Sequence, residues 1–95
     1  MAVYKTDITS SSTLAAVLGS ATIPFGGCWV TFVSSVDCWI HFGGDTDSAA
    51  SAVYSFPMKA QETYDWWVND TSDPNFRVIR AGTDDGVLTR YRSNL

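Results

Sequence analysis

Charge is scarce in this chain. Asp, Glu, Lys and Arg make up 17% of 95 residues, against ~25% in an ordinary soluble domain, so part of the surface must be apolar, hydroxyl-rich or covered by a partner. Cations are scarcer still: six against ten acids, a net charge of −4 and a pI near 4.5. That balance excludes nucleic acid as the main partner, because phosphate binding needs clustered cations. No apolar run approaches the ~20 residues that a membrane-spanning helix requires, so no membrane is expected. The short apolar stretch Leu14-Ala15-Ala16-Val17-Leu18, preceded by Asp7 as well as Lys5, falls below a secretory apolar core of ~7–15 residues. Synthesis in a cytoplasm is therefore expected, and Asn69-Asp70-Thr71 reads as a turn rather than a glycosylation site.

Groups that do chemistry are equally few. The single histidine, His41, lies between Ile40 and Phe42 with no orienting acid and nucleophile arranged around it, so a structural or interface role is expected. Two cysteines, Cys28 and Cys38, lack Cys-x-x-Cys or Cys-His metal spacing. If residues 28–43 form a hairpin turning at Ser34-Ser35, position 28 faces 41 and 38 faces 31, too far apart for a disulfide. Two buried thiols are expected. Asp45-Thr46-Asp47 begins as a calcium loop does, yet lacks the further ligands and closing glutamate, and reads as a polar turn, as does Asp84-Asp85-Gly86. With no glycine-rich phosphate loop either, the sequence points away from an enzyme and implies no cofactor.

Aromatic and β-branched residues are plentiful by contrast: 45% of the chain is hydrophobic and 14% aromatic, enough for one domain with a real core. Residues 28–43 hold two such runs about a Ser-Ser break and read as a buried hairpin with both faces of the pleat filled. Candidate strands are 28–33, 38–42, 51–56, 62–68, 75–81 and 86–92. They are separated by Ser34-Ser35, Gly43-Gly44-Asp45, Pro57, Asn69-Asp70 with Asp73-Pro74, and the stretch 83–86. Six short strands at this spacing predict an all-β domain over residues 23–95, a small antiparallel β-sandwich or barrel. The last two should pair as a hairpin through Asp85-Gly86. Residues 1–22, rich in Ser, Thr and Ala, read as an extended N-terminal arm, with one or two helical turns conceivable at 12–18. No helical stripe and no internal repeat is present.

Two features suggest a contact surface. Residues 1–76 hold two cations and eight acids, net −6, whereas 77–95 hold four arginines and two aspartates, net +2. Arg77, Arg80, Arg90 and Arg92 therefore either meet an acidic partner or solvate the outer face of a terminal hairpin. In the strand 62–68, Trp66 and Trp67 must point to opposite faces. With Tyr64, Trp66 and Val68 lining the core, Trp67 is left either at an interface or beneath the arm. The interface candidates are Trp67, Tyr64, Arg77, Arg90 and Arg92.

Three stretches carry a family resemblance: Trp39-Ile40-His41-Phe42-Gly43, Ser55-Phe56-Pro57-Met58-Lys59-Ala60, and Val78-Ile79-Arg80-Ala81-Gly82-Thr83 followed by Gly86-Val87-Leu88-Thr89. Over residues 25–92 the pattern resembles small virion proteins of tailed bacteriophages, those that decorate or cement the capsid. The Trp66-Trp67 pair and the arginine-rich last strand depart from it. The resemblance implies a structural protein on the capsid surface, partnered by the major capsid (coat) protein, bridging neighbouring coat subunits, and forming a homo-oligomer, with a trimer at threefold positions the natural form. A head–tail connector or tail subunit fits the same pattern. A carbohydrate-binding β-sandwich using Tyr64 and Trp67, with the acidic loop 45–47, is the reading from a different class.

Overall fold

The structure, a computed structural model, describes residues 2–42, 55–69 and 75–93. Among these there is no helix, and eight strands follow one another: β1 (Tyr4–Ile8), β2 (Thr13–Ala16), β3 (Cys28–Ser34), β4 (Cys38–Phe42), β5 (Phe56–Met58), β6 (Thr63–Val68), β7 (Asn75–Arg80) and β8 (Gly86–Arg92). They form two four-stranded antiparallel sheets, ordered β1-β8-β3-β6 and β2-β7-β4-β5. The ladders β1·β8, β2·β7, β3·β6 and β4·β5 are the rungs of one long antiparallel ribbon. The ladders β8·β3 and β7·β4 roll that ribbon into a sandwich, which is the strand order of a jelly roll.

The all-β, antiparallel sandwich expected from the turn spacing is thus present, with eight strands in place of about six. The two extra strands lie in the segment read as an arm. Small and hydroxylated residues dominate that segment and hid its apolar positions, yet Ile8, Val17 and Leu18 are buried core residues. The helical turns considered at 12–18 are instead β2 and the turn after it. Pro57, expected to separate strands, sits inside β5, an edge strand whose free side tolerates its missing N–H. The candidate strand 51–56 contributes only Phe56 to β5, since residues 51–54 lie outside the described set.

Neither expected hairpin forms. β3 and β4 belong to different sheets, as do β7 and β8. The Ser34-Ser35 break turns the chain across the sandwich rather than back along one sheet. Ser34 Oγ donates to Val36 O at 2.5 Å and accepts from Val36 N–H at 3.2 Å, while Ser35 N–H and Oγ bond Val87 O and Val87 N–H on β8 at 3.1 and 2.9 Å. Two-residue turns close hairpins only when the flanking strands share a sheet; here the preference for filling both layers prevails.

The space between the sheets is packed with rings. Phe32 of β3 meets Phe42, Trp66 and Phe76 edge-on with centroids 5.1–6.0 Å apart, and Ile8, Val30, Ile40, Met58, Val68, Val78 and Leu88 complete the core. Such edge-to-face pairs add ~0.5–1.5 kcal/mol each beyond area burial. Cys28 and Cys38 are both buried and unbridged. They stand on β3 and β4, in different sheets, and not on one hairpin. Burial pushes the Cys38 thiol up, opposed by its bond with Ser34 and aided by nearby Asp37, so it stays an unionised, packed thiol.

Arg90 corrects the largest sequence-based expectation. Far from solvating an outer face or meeting a partner, it is 2% exposed. Leu88 and Arg90 share the inward side of β8, because β1 and β2 close over that part of the sandwich. Its Nε donates to Val17 O at 3.1 Å, Nη2 to Ala16 O at 2.9 Å, and Nη1 to Thr6 Oγ1 at 2.7 Å and Leu88 O at 3.3 Å. The guanidinium carbon lies 4.8 Å from the centroid of the Phe76 ring. Burial lowers its pKa to about 10, leaving it cationic at neutral pH, held by carbonyl dipoles and a ring face.

Two outcomes test this arrangement. Deleting residues 2–20 should abolish cooperative unfolding in urea, whereas a separable arm would leave the transition intact. Arg90→Ala should cost about 3 kcal/mol or more, through a cavity and orphaned carbonyls; Arg90→Lys, lacking the planar fork, should recover little of it. A urea midpoint unchanged in either variant would contradict the role assigned to the guanidinium.

Candidate interaction surface

On the outer face of the β1-β8-β3-β6 sheet, strand alternation places Trp29, Thr31 and Val33 of β3 beside Thr63, Asp65 and Trp67 of β6 and Val87, Thr89 and Tyr91 of β8. The register sets Trp29 directly opposite Trp67 and Thr31 between Asp65 and Tyr91. Thr31 Oγ1 donates to Asp65 Oδ1 at 2.6 Å, which fixes the carboxylate beside the aromatic pair. The two indoles touch edge to face, centroids 5.6 Å apart at 78°. Trp67 is 53% exposed and Trp29 39%. Trp29 overturns the expectation that residues 28–33 fill both faces of a buried pleat; one face of β3 looks outward.

The turn entering β3 brings a third ring to this end. Gly27 N–H donates to Pro24 O at 2.8 Å, and Gly26 has φ 85°, as the third position of a type II turn requires. Phe25, at the tip, is fully exposed. Gly27 itself has φ 100°, and a Cβ there would sit 2.5 Å from Val68 O and 3.0 Å from Trp67 Nε1. The loop is therefore drawn against β6 at a distance only glycine permits. Gly27, Cys28, Trp29, Trp67, Arg92 and Ser93 line a depression of about 220 Å³. Ser93 N–H donates to Trp29 O at 2.9 Å, tying the end of β8 to the same corner. Arg92 is exposed and has no ion-pair partner among the described residues.

Of the five interface candidates, the fold brings only Trp67 and Arg92 together. Tyr64 faces the other way: it stacks on Trp66 at 5.4 Å and 10°, its hydroxyl donating to Glu62 Oε2 at 3.0 Å and accepting from Lys59 N–H at 3.1 Å. It cannot share a platform with Trp67, as strand alternation already required. Arg90 is in the core. Arg77 lies on the outer face of the second sheet, opposite Leu14 and His41, across the sandwich from Trp67. Arg80 pairs with Asp85 at 2.7 Å in the turn between β7 and β8. The acidic stretch 45–47 lies outside the described residues. Among the described residues no group of three His, Cys, Asp or Glu side chains could hold a metal ion.

Sequence reasoning passed over Trp29 and Phe25. The Pro24-Phe25-Gly26-Gly27 turn was a usable signal for the second, since a ring at a turn tip has no strand face to bury it. Trp29 becomes visible only once β3 is paired with β6. Comparison with protein-family models, with curated proteins and with solved structures found no match for the chain.

Gly27→Ala should lower stability by about 1–3 kcal/mol, the usual scale of a residue forced into an unfavourable backbone conformation. It should also shift tryptophan emission as Trp67 gives way. Unchanged emission with unchanged urea stability would show that the loop does not press on the indole.

Proposed function

We propose that this chain is a non-enzymatic structural protein of a tailed-bacteriophage particle, a capsid decoration or cement protein that binds the outer shell and bridges coat subunits. The observation that carries this reading is the aromatic end of the sandwich: a fully exposed Phe25, the half-open Trp29–Trp67 pair and the exposed Arg92. Aromatic residues and arginine are the side chains that most often anchor protein interfaces, and a rigid strand-and-turn scaffold presents them here at little entropic cost. The sequence resemblance over residues 25–92 supplies the kind of particle. The strand order is compatible with it, being shared by viral capsid domains, but lectins use the same order, so the fold does not choose. Each copy needs only a modest contact, because attachment to a repeating shell multiplies weak interfaces.

A sugar-binding module is less well supported. The platform envisaged for it used Tyr64, which is packed against Trp66, and the two exposed indoles stand at 78° instead of lying side by side. A connector or tail subunit would use the same aromatic end and differs in copy number.

Quantitative mass spectrometry of purified particles tests the proposal. A ratio near one copy per coat subunit, or a simple lattice fraction, is expected; a handful per particle would indicate a connector or tail position, and absence would overturn the virion reading. Phe25→Ala and Arg92→Ala should each weaken attachment by about tenfold or more, while circular dichroism shows the fold intact.

A further inference from the structure

A rolled ribbon leaves four sheet edges, and three of them are guarded. β5 is three residues long and holds Pro57, β2 is four residues long, and β1 carries Lys5 and Asp7. Short strands, proline and alternating charge are the usual means by which edges avoid pairing with another chain. Among the described residues β6 has none of them. It offers six residues, Thr63-Tyr64-Asp65-Trp66-Trp67-Val68, with no proline and no lysine, and its one charge is engaged by the Thr31 hydroxyl. Open rings flank this edge on both sides: Trp67 on the outer face, and Phe56, 47% exposed, resting on Tyr64 and Trp66.

We propose that two copies of this chain join through antiparallel pairing of their β6 strands, about a twofold axis perpendicular to the sheet and centred on Trp66. In such a pair, residues directly opposite must share a face, which restricts the centre to a residue position. Centring on Asp65 would set that carboxylate against its own copy, a destabilising like-charge pair. Centring on Trp66 sets Asp65 opposite Trp67 of the second copy, and Tyr64 opposite its Val68. This register extends the four-stranded sheet into one of eight strands and, within Thr63–Val68, sets no acid opposite an acid.

The area is sufficient, though not large. Half of a Trp67 and half of a Phe56 from each copy amount to about 400 Å², at ~200 Å² per ring side chain. With the two strand edges the contact nears the ~1,000 Å² at which specific association begins. The dimer therefore depends on concentration. Its geometry has a use: the outer faces of both copies look the same way, so the Trp29 indoles of both are presented on one side. This twofold differs from the threefold oligomer that the family resemblance implies.

The test uses the full chain. Sedimentation velocity from about 1 to 200 µM, the range where micromolar association is read, should show monomer passing to dimer, and Trp67→Lys should remain monomeric with an unchanged circular dichroism spectrum. The register is read by disulfide trapping with oxidised glutathione. Thr63 and Asn69 fall opposite each other only when the axis passes through Trp66, so the variant carrying both Thr63→Cys and Asn69→Cys should give a covalent dimer. Asp65→Cys alone should not. A monomer at every concentration, a trimer, or a covalent dimer from Asp65→Cys alone would each overturn the proposal.

Discussion

The buried guanidinium of Arg90 is the constraint on which the sandwich depends. A cation in a low-dielectric core is tolerable only if every nearby dipole is turned toward it, and here the dipoles come from the chain's own beginning: the carbonyls of Ala16 and Val17 and the hydroxyl of Thr6. The two amino-terminal strands are held to the last one by a charge that has nowhere else to go. Because β1 pairs with β8 while β2 pairs with β7, this one side chain links the edges of both sheets. The Phe76 ring beneath it couples the polar cluster to the aromatic core.

The aromatic column sets the other half of the architecture. Phe42, Phe56, Tyr64 and Trp66 fill the β5–β6 side of the sandwich, and Phe32, the cross-strand neighbour of Arg90, joins them to the polar cluster, so the two long sides close by different means, one with a guanidinium and carbonyls and the other with rings. Trp66 and Trp67 express the division within one strand: the first completes the column, the second is left outside, and Gly27 is pressed against it. The exposed corner is therefore rigid for the same reason the core is.

What could be read in the sequence was the local grammar. The spans of β3, β4, β6, β7 and β8 followed from β-branched and aromatic runs between turn residues, and alternation put Trp66 and Trp67 on opposite faces, with Trp67 the outer one if Tyr64, Trp66 and Val68 line the core. Pairing was not legible. Ser34-Ser35 and Asp85-Gly86 carry the same residues whether the chain doubles back within a sheet or crosses to the other, and only the packing of two layers decides. The failure at β1 and β2 has a different cause: Tyr4-Lys5-Thr6-Asp7-Ile8 and Thr13-Leu14-Ala15-Ala16 are weakly apolar strands, stabilised by long-range partners rather than by their own pattern. Arg90 defeated hydropathy for the same reason, since nothing beside it in the sequence announces the carbonyls it binds. Of the candidate site, Trp67 and Arg92 were visible, while Phe25 and Trp29 required the β3·β6 register.

The rolled ribbon also has a consequence in time. Each rung outward from β4·β5 joins strands farther apart in the chain, and Tyr4 finds its partner only at Arg90. Closing such distant pairs costs loop entropy before any contact repays it, which places folds of this kind among the slower ones. On the ribosome the first sheet cannot form when β1 emerges, or when β3 does, because β8 must be inserted between them and is made last. Until then the Trp-bearing strands β3 and β6 can pair only with each other, and the rings that later become core remain wet. The nascent chain thus passes through a stage in which its stickiest segments are unprotected, a period during which chaperone capture or rapid completion of synthesis governs yield.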